Sequence, residues 1–519
     1  MKQKGWYSVL FVVTVVLLVL PAVQQQWHLF SFRPLLGSTV SSERPQLTVK
    51  SFMSGQYQVQ EDRYLSEHVG FRECFIRYYN QLTWSLFHKS QNPSVFVGKD
   101  NYLFNDFVME HCKRQSAYVF YGSNEGAERR MRSDANMLCQ LQGILASYGV
   151  NFFVCLAPSK DLVCEEYLPV IRESEKRDGI YAIDFYPHLF DSLGIHYLDL
   201  SEYFMQLKGK VSYPLYLKSS SHWSNQAATY MGDTLIRYME DLSGLNLHNV
   251  TFTPPYLAPT REPDGDLEQV LNLMRPIETN SQYYVNAIPD DDTAAVRPKW
   301  LVVGDSYFRG WQYNLPLDQL FAAHPYWRYN NTVYDDILHD NTSQVDLLRA
   351  LLSADFVTLL YTPCNLYDLN RKFVTQSLFS LCFDEQEVAK TLAEAKRRIQ
   401  DNEEWMARLR ERADSRNLDL QQVIDDEASY MLYGSPGHYL DQFNEATVPA
   451  KRSSRVAKVY AEVHDQERER YRAGLSKNPD WLASIKEKAI KQQITVDEAL
   501  ERDIDWLIYQ KKQNHAANE

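Results

Sequence analysis

The sequence predicts an α/β fold: a mostly parallel sheet flanked by helices, with a membrane anchor before it and an all-helical repeat module after it. Three observations carry that expectation. Apolar, β-rich runs at Asn151–Leu156, Trp300–Val303 and Phe356–Tyr361 alternate with helical patterns, as strands buried on both faces of a parallel sheet do. Lys2 and Lys4 precede an uncharged apolar stretch from Tyr7 to Val23. Charge then crowds into the last quarter, where 48 of the 135 residues from Glu385 onward are Lys, Arg, Asp or Glu, against 73 of the 384 before them. The 519 residues therefore divide into 1–23 (signal-anchor), 24–50 (a polar, proline-spotted linker), 51–384 (the α/β domain) and 385–519 (a helical module).

The apolar stretch reaches roughly 26 Å at about 1.5 Å per residue, enough to cross a hydrocarbon core with help from its flanks. Its N-terminal lysines stay cytoplasmic, which sends everything after Val23 out of the cytosol. No A-x-A-like cleavage site follows, so the stretch reads as an uncleaved anchor. Next, a helical pattern runs from Glu61 to Leu82 through Tyr64, Leu65, His68, Phe71, Arg72, Phe75 and Tyr79. Val95–Phe104 reads as a hairpin around Lys99-Asp100-Asn101. A helix from Ala127 to Ser147 carries Leu138, Leu141 and Leu145 on one face, and Gly149 is placed to end it before the Asn151–Leu156 strand.

The rhythm repeats downstream. A helix from Pro187 to Leu193, with proline at its first position, precedes a strand from His196 to Leu200. Ser224 is a natural N-cap for a helix from Asn225 to Met239, and a helix over Val345–Ser353 leads into the Phe356 strand. In the C-terminal module, Asn402-Glu403-Glu404-Trp405-Met406-Ala407 aligns with Asn478-Pro479-Asp480-Trp481-Leu482-Ala483 at an offset of 76. The match continues through Leu409 and Ile485, Ala413 and Ala489, and Ile424 and Leu500, the signature of a helix–turn–helix pair used twice. Its tryptophans read as core.

Composition excludes several classes. A net charge of −13 argues against nucleic acid as partner, because a phosphate-neutralising surface needs clustered Lys and Arg. Seven cysteines, at 74, 112, 139, 155, 164, 364 and 382, fall at no metal-ligand spacing. Cys155 lies within a buried strand and reads as a small hydrophobe. There is no C-x-x-C and no H-E-x-x-H, so neither a metal nor another cofactor is expected.

Two short elements could carry chemistry. Trp300-Leu301-Val302-Val303-Gly304-Asp305-Ser306-Tyr307 places a serine just past a buried strand, where the free N–H groups of a following helix could hold an oxyanion. Leu217-Lys218-Ser219-Ser220-Ser221-His222-Trp223 places a histidine in a loop before a helix, a candidate base for that serine. A turn serine and a structural His-Trp pair are the plain alternatives. In parallel sheets chemistry collects beyond the carboxyl ends of the strands, which favours the acyl-transfer reading.

The H-W and G-D-S elements resemble, together with four further pieces in the same order, the alginate O-acetyltransferase-like branch of the SGNH hydrolase superfamily. The other pieces are the early Phe52, Gly55, Tyr64, Leu65, Glu67, His68, Gly70, Phe71 and Arg72, the hairpin Gly98–Phe104, Ala157-Pro158-Ser159-Lys160, and Gly265-Asp266-Leu267. The resemblance spans roughly Phe52 to Cys382. It implies an SGNH, flavodoxin-like sheet in an exported and often membrane-anchored protein that O-acetylates a surface or secreted polysaccharide. Such a protein works beside a multi-spanning membrane O-acyltransferase that supplies acyl groups. By this resemblance Ser306 is the nucleophile and His222 its base. The family's Asp two residues before the histidine is Ser220 here, so the group that should fix the imidazole tautomer is missing from its usual place.

Three arrangements stay open: a Ser–His dyad in which Ser220 accepts one uncharged hydrogen bond from the ring, a carboxylate supplied from elsewhere with Asp266 as candidate, or a protein that binds glycan without turning it over. The Ser306 N–H and the Asn365 side chain are candidates for an oxyanion hole, Arg309 for contact with an anionic sugar, and Asp305 for ordering the turn. The expected function is therefore an extracytoplasmic O-acyltransferase acting through a serine acyl intermediate. The rivals are a carbohydrate esterase or deacetylase of the same fold and a scaffold for a membrane acyltransferase complex.

Overall fold

A computed structural model describes residues 2–37, 42–113, 122–170, 179–277, 281–334, 341–370, 372–383, 385–416, 418–434, 454–492 and 494–516. At its centre is a six-stranded sheet in the order Thr332–Tyr334, Tyr326–Arg328, Trp300–Gly304, Phe356–Tyr361, Asn151–Leu156, Tyr197–Asp199. All neighbours are parallel except the antiparallel edge pair formed by Tyr326–Arg328 and Thr332–Tyr334. The alternation of side chains along each strand divides the core in two. Val357, Leu359, Val154 and Leu301 face the helices Asn124–Ala146, Ala182–Leu193, Leu347–Ser353 and Phe373–Cys382. Phe356, Leu360, Phe153 and Val302 face the helices Asn225–Ser243 and Phe308–Asn314. This is the expected sheet covered on both sides by helices, and it explains the continuous apolar runs of the central strands.

Several elements depart from the sequence reading. The single pattern over Glu61–Leu82 is two helices, α3 (Gln56–His68) and α4 (Arg72–Phe87), preceded by the apolar α1 (Lys2–Trp27) and the short α2 (Val49–Met53). The break falls at Gly70-Phe71: Phe71 has φ 64°, and a Cβ on Gly70 would collide with the Pro21 carbonyl of α1. Pro187 lies inside its helix, which starts at Ala182, rather than at the first position. The expected linker is tied down at Leu36, whose backbone exchanges two hydrogen bonds of 2.9 Å with the Asn272 side chain.

The helical repeat is built from three-helix units rather than pairs. Glu385–Gln400 joins Glu403–Arg416 and Leu420–Ser429 around Ile399, Leu409 and Ile424. Ser454–Lys477 joins Pro479–Gln492 and Val496–Ala516 around Leu475, Ile485 and Leu500. The offset of 76 extends to polar contacts. The Trp405 indole donates to Glu427 at 3.1 Å and the Trp481 indole to Asp503 at 3.1 Å, and Arg412 and Lys488 pair with those same carboxylates.

Two positions in this frame set up measurements. A Cβ on Gly304 would collide with the Leu360 carbonyl of the paired strand, so Gly304→Ala is expected to cost about 1–3 kcal/mol of unfolding free energy in denaturant titration. Asp264 is buried under the first turn of Asn225–Ser243 and accepts from the Asn225 N–H at 3.0 Å. Burial raises its carboxyl from 3.8 to about 7. The folded chain therefore holds this proton to higher pH than the unfolded chain does, and stability is lost as pH rises from about 4 towards 7. Asp264→Asn keeps the acceptor without the charge. It should stabilise the fold at pH 8, on the order of a few kcal/mol, with the gain vanishing towards pH 4 in thermal unfolding.

Candidate active site

Ser306 follows the carboxyl end of the Trp300–Gly304 strand, in a turn ordered by its neighbour. The buried Asp305 carboxylate accepts from the Thr362 N–H and hydroxyl at 2.7 Å each, from Asn365 Nδ2 at 2.9 Å and from the Tyr307 N–H at 3.0 Å. One side chain thus ties the ends of the two central strands together and holds Ser306 at their mouth. The Ser306 N–H makes no hydrogen bond among the described residues. That leaves a backbone donor beside Oγ, where an oxyanion would form.

His222 sits in a loop anchored on both sides. Upstream, the buried Lys160 ammonium donates to the carbonyls of Leu103, Leu217, Lys218 and Ser220 at 2.6–3.0 Å, which pins the hairpin and the histidine loop to one cation. Downstream, Trp223 is fully buried between Tyr307 and Trp311, with ring centroids 5.6 and 5.2 Å away. Gly310 makes room for that indole, since a Cβ there would overlap its Nε1. Ser224 then caps the following helix by accepting from the Ala227 N–H at 3.1 Å.

Between these anchors the structure brings three of the expected residues together. His222 Nε2 lies 2.8 Å from Ser306 Oγ, and His222 Nδ1 lies 2.7 Å from Asp266 Oδ2. Asp266 begins the short helix Asp266–Val270, directly after Gly265 with φ 76°. Two clips hold that turn against the histidine loop: Ser220 Oγ accepts from the Gly265 N–H at 2.7 Å, and the Ser219 carbonyl accepts from the Leu267 and Glu268 N–H groups at 3.1 Å. Burial pushes the Asp266 carboxyl up. The facing His222 charge and hydrogen bonds from His222 and Ser221 more than offset it, and the carboxyl ends below its ordinary range. A carboxylate that stays ionised against Nδ1 fixes the tautomer in which Nε2 can take a proton from a hydroxyl.

Of the three open arrangements, the one that pairs Ser220 with the ring is not seen: the Ser220 hydroxyl instead accepts from the Gly265 N–H. The adjacent Ser221 occupies that place. Its N–H donates to Asp266 Oδ1 at 2.7 Å, its hydroxyl reaches Asp266 Oδ2, and the same hydroxyl lies 3.1 Å from His222 Nδ1. The Tyr307 hydroxyl holds the Ser221 carbonyl at 2.8 Å. Nothing in a run of three serines marks which one meets the imidazole.

The remaining expected residues are placed differently. The Asn365 amide donates to Asp305 and, at 3.0 Å, to Thr362 Oγ1, so it braces the strand ends rather than presenting a free donor. Arg309 is paired with Glu262 at 2.8 Å and also reaches the Tyr313 hydroxyl. None of the seven cysteines is in a disulfide among the described residues; burial raises the Cys164 thiol to about 11 and Cys364 to about 12. Among the described residues no cluster of His, Cys, Asp or Glu could hold a metal ion.

Residues 95–323 match the family model described as "SGNH hydrolase-like domain, acetyltransferase AlgX". Similar solved structures include the O-acetyltransferase domain of Pseudomonas putida AlgJ, at 18% identity over 55% of this chain and 99% of that one, with a TM-score of 0.38. Pseudomonas aeruginosa AlgX is similar at 13% identity over 53% of this chain and 67% of that one, TM-score 0.34. Bacillus cereus PatB1 is similar at 14% identity over 52% of this chain and 96% of that one, TM-score 0.33. No curated protein sequence gives a significant match. Residues 95–323 are thus similar to the SGNH hydrolase-like domain of the acetyltransferase AlgX, in line with the resemblance of the chain's motifs.

Proposed function

We propose that this chain is an O-acetyltransferase that esterifies hydroxyl groups of a polysaccharide through an acyl-serine intermediate. The observation that carries the reading is the continuous relay from Ser306 Oγ through His222 to Asp266. In the first half-reaction His222 Nε2 takes the Ser306 proton and Oγ attacks the carbonyl carbon of an acyl donor. The oxyanion sits against the Ser306 N–H, and the leaving group departs with the proton from His222. In the second, a sugar hydroxyl gives its proton to His222 and attacks the acyl-serine, releasing the ester and restoring Ser306. Asp266 stabilises the imidazolium in both halves.

A polysaccharide as acceptor and a multi-spanning membrane O-acyltransferase as acyl supplier complete the proposal, supported by the resemblance of the sequence motifs to the alginate O-acetyltransferase-like branch. The apolar α1 supports an extracytoplasmic location: its segment Trp6–Trp27 is long and apolar enough to span a bilayer, and Lys2 and Lys4 before it favour a cytoplasmic N-terminus. With Asp266 beside the imidazole, the main support for a non-catalytic scaffold, Ser220 in the usual aspartate position, loses its force. A hydrolase of the same geometry differs only in letting water replace the sugar.

Incubation with an acetyl-ester donor, with and without an oligosaccharide acceptor, separates these outcomes. Acceptor-dependent ester formation is expected, and donor hydrolysis indifferent to acceptor would make the chain an esterase. Ser306→Ala should abolish both turnover and the acetylated Ser306 peptide in mass spectra. Asp266→Asn should lower kcat by about 10²–10⁴-fold. Ser220→Asp should bring no gain, because that side chain faces Gly265 rather than the ring.

A further inference from the structure

Helix α4 presents its apolar side outward and its polar side inward. Phe75, Tyr78, Tyr79, Leu82 and Leu86 recur at helical spacing and form one stripe, exposed by between 46% and 63%. On the opposite side, polar groups bind the body of the protein. Asn80 donates to the Leu271 carbonyl at 2.8 Å and Arg77 to the Pro34 carbonyl at 2.9 Å, while Gln81 accepts from the Met274 and Arg275 N–H groups at 3.1 and 2.9 Å. A helix washed by water buries its apolar stripe and exposes its polar one; α4 does the reverse. A contiguous patch of this kind marks a surface that meets something other than water.

The position of α4 identifies what covers it. Its N-terminal turn packs directly on the end of α1, where Gly70 abuts the Pro21 carbonyl. The aromatic rings continue from one to the other without a gap: Phe30 and Phe32 lie 6.0 and 5.6 Å from Phe71, which lies 6.3 Å from Phe75 at the head of the stripe. Two adjacent tyrosines in the stripe suit the headgroup level, where a ring can bury its body and keep its hydroxyl wet.

We propose that α4 lies in the boundary between headgroups and acyl chains of the membrane that α1 crosses, so that phospholipid covers the stripe from Phe75 to Leu86. This rests on the reading of α1 as an anchor. The arrangement has a consequence for the site. Trp84, on the inward side of α4, packs in one cluster with Leu267, within the Asp266–Val270 helix, and Leu271, which caps its end. The segment carrying Asp266 is therefore one layer of side chains away from the bilayer, a fixed short distance from acyl groups delivered at the membrane.

Spin-label accessibility on the full-length chain in phosphatidylethanolamine–phosphatidylglycerol nanodiscs tests this. Nitroxides attached to p-acetylphenylalanine at positions 18, 79, 86 and 257, all exposed, leave the native cysteines and the core untouched. Labels at 79 and 86 are expected to collide with oxygen in preference to an aqueous nickel chelate, as at 18, and the label at 257 to do the opposite. Lipid-like behaviour at 18 with water-like behaviour at 79 and 86 would overturn this inference and leave the anchor standing. Water-like behaviour at 18 would remove the anchor and the inference together. Shielding of 79 and 86 from both relaxants would mean that protein, not lipid, covers the stripe, and would overturn it as well.

Discussion

The hydrogen bond between Asp266 and His222 is the contact on which the rest of the site depends. It joins segments 44 residues apart, and neither is an element of the central sheet. Without it the imidazole would have no fixed tautomer. The clips through Ser219 and Ser220 serve this contact, and so does Lys160, whose ammonium organises four backbone carbonyls around the same loop. A cation at that depth is held by four carbonyl dipoles and by the faces of the Tyr102 and Phe104 rings. Charge is thus used twice, once to shape the loop and once to orient the ring within it.

The sheet supplies the other half. Parallel strands bring their carboxyl ends to one edge, and Asp305 uses that edge as a fastening, binding Thr362 and Asn365 beyond the neighbouring strand. The serine next to it inherits a defined position from a residue that does no chemistry. The division of labour matches the residue types: a buried acidic side chain satisfied by four donors holds the turn, and a small hydroxyl stands at its tip.

Much of this could be read from the chain before any coordinates. Asn151–Leu156 and Phe356–Tyr361 were legible to the residue because strands buried on both faces leave uninterrupted apolar runs bounded by breakers. Ser306 and His222 were legible because each follows or precedes a regular element with a recognisable end. Asp266 was visible only as a candidate, since its meeting with the ring depends on a turn at Gly265 and on hydrogen bonds from another loop. Ser221 was not visible at all: Ser219, Ser220 and Ser221 are chemically alike, and only the backbone direction of the loop decides which hydroxyl faces the imidazole. The break in the helical pattern at Gly70 escaped for a similar reason, because the cause is contact with α1 rather than local preference. The first helix of each C-terminal unit, Glu385–Gln400 and Ser454–Lys477, lies outside the best-matching part of the repeat, so periodicity alone pointed to pairs.

The account stands most directly on the protonation of one ring. Nitrogen-15 labelling of histidine and transverse-relaxation-optimised proton NMR would report both ring nitrogens of His222. A proton on Nδ1, shifted far downfield by the Asp266 carboxylate and lost from that position in Asp266→Asn, with Nε2 unprotonated at neutral pH, is the result that the relay requires. A His222 that carries its proton on Nε2, or whose spectrum is unchanged by Asp266→Asn, would contradict it.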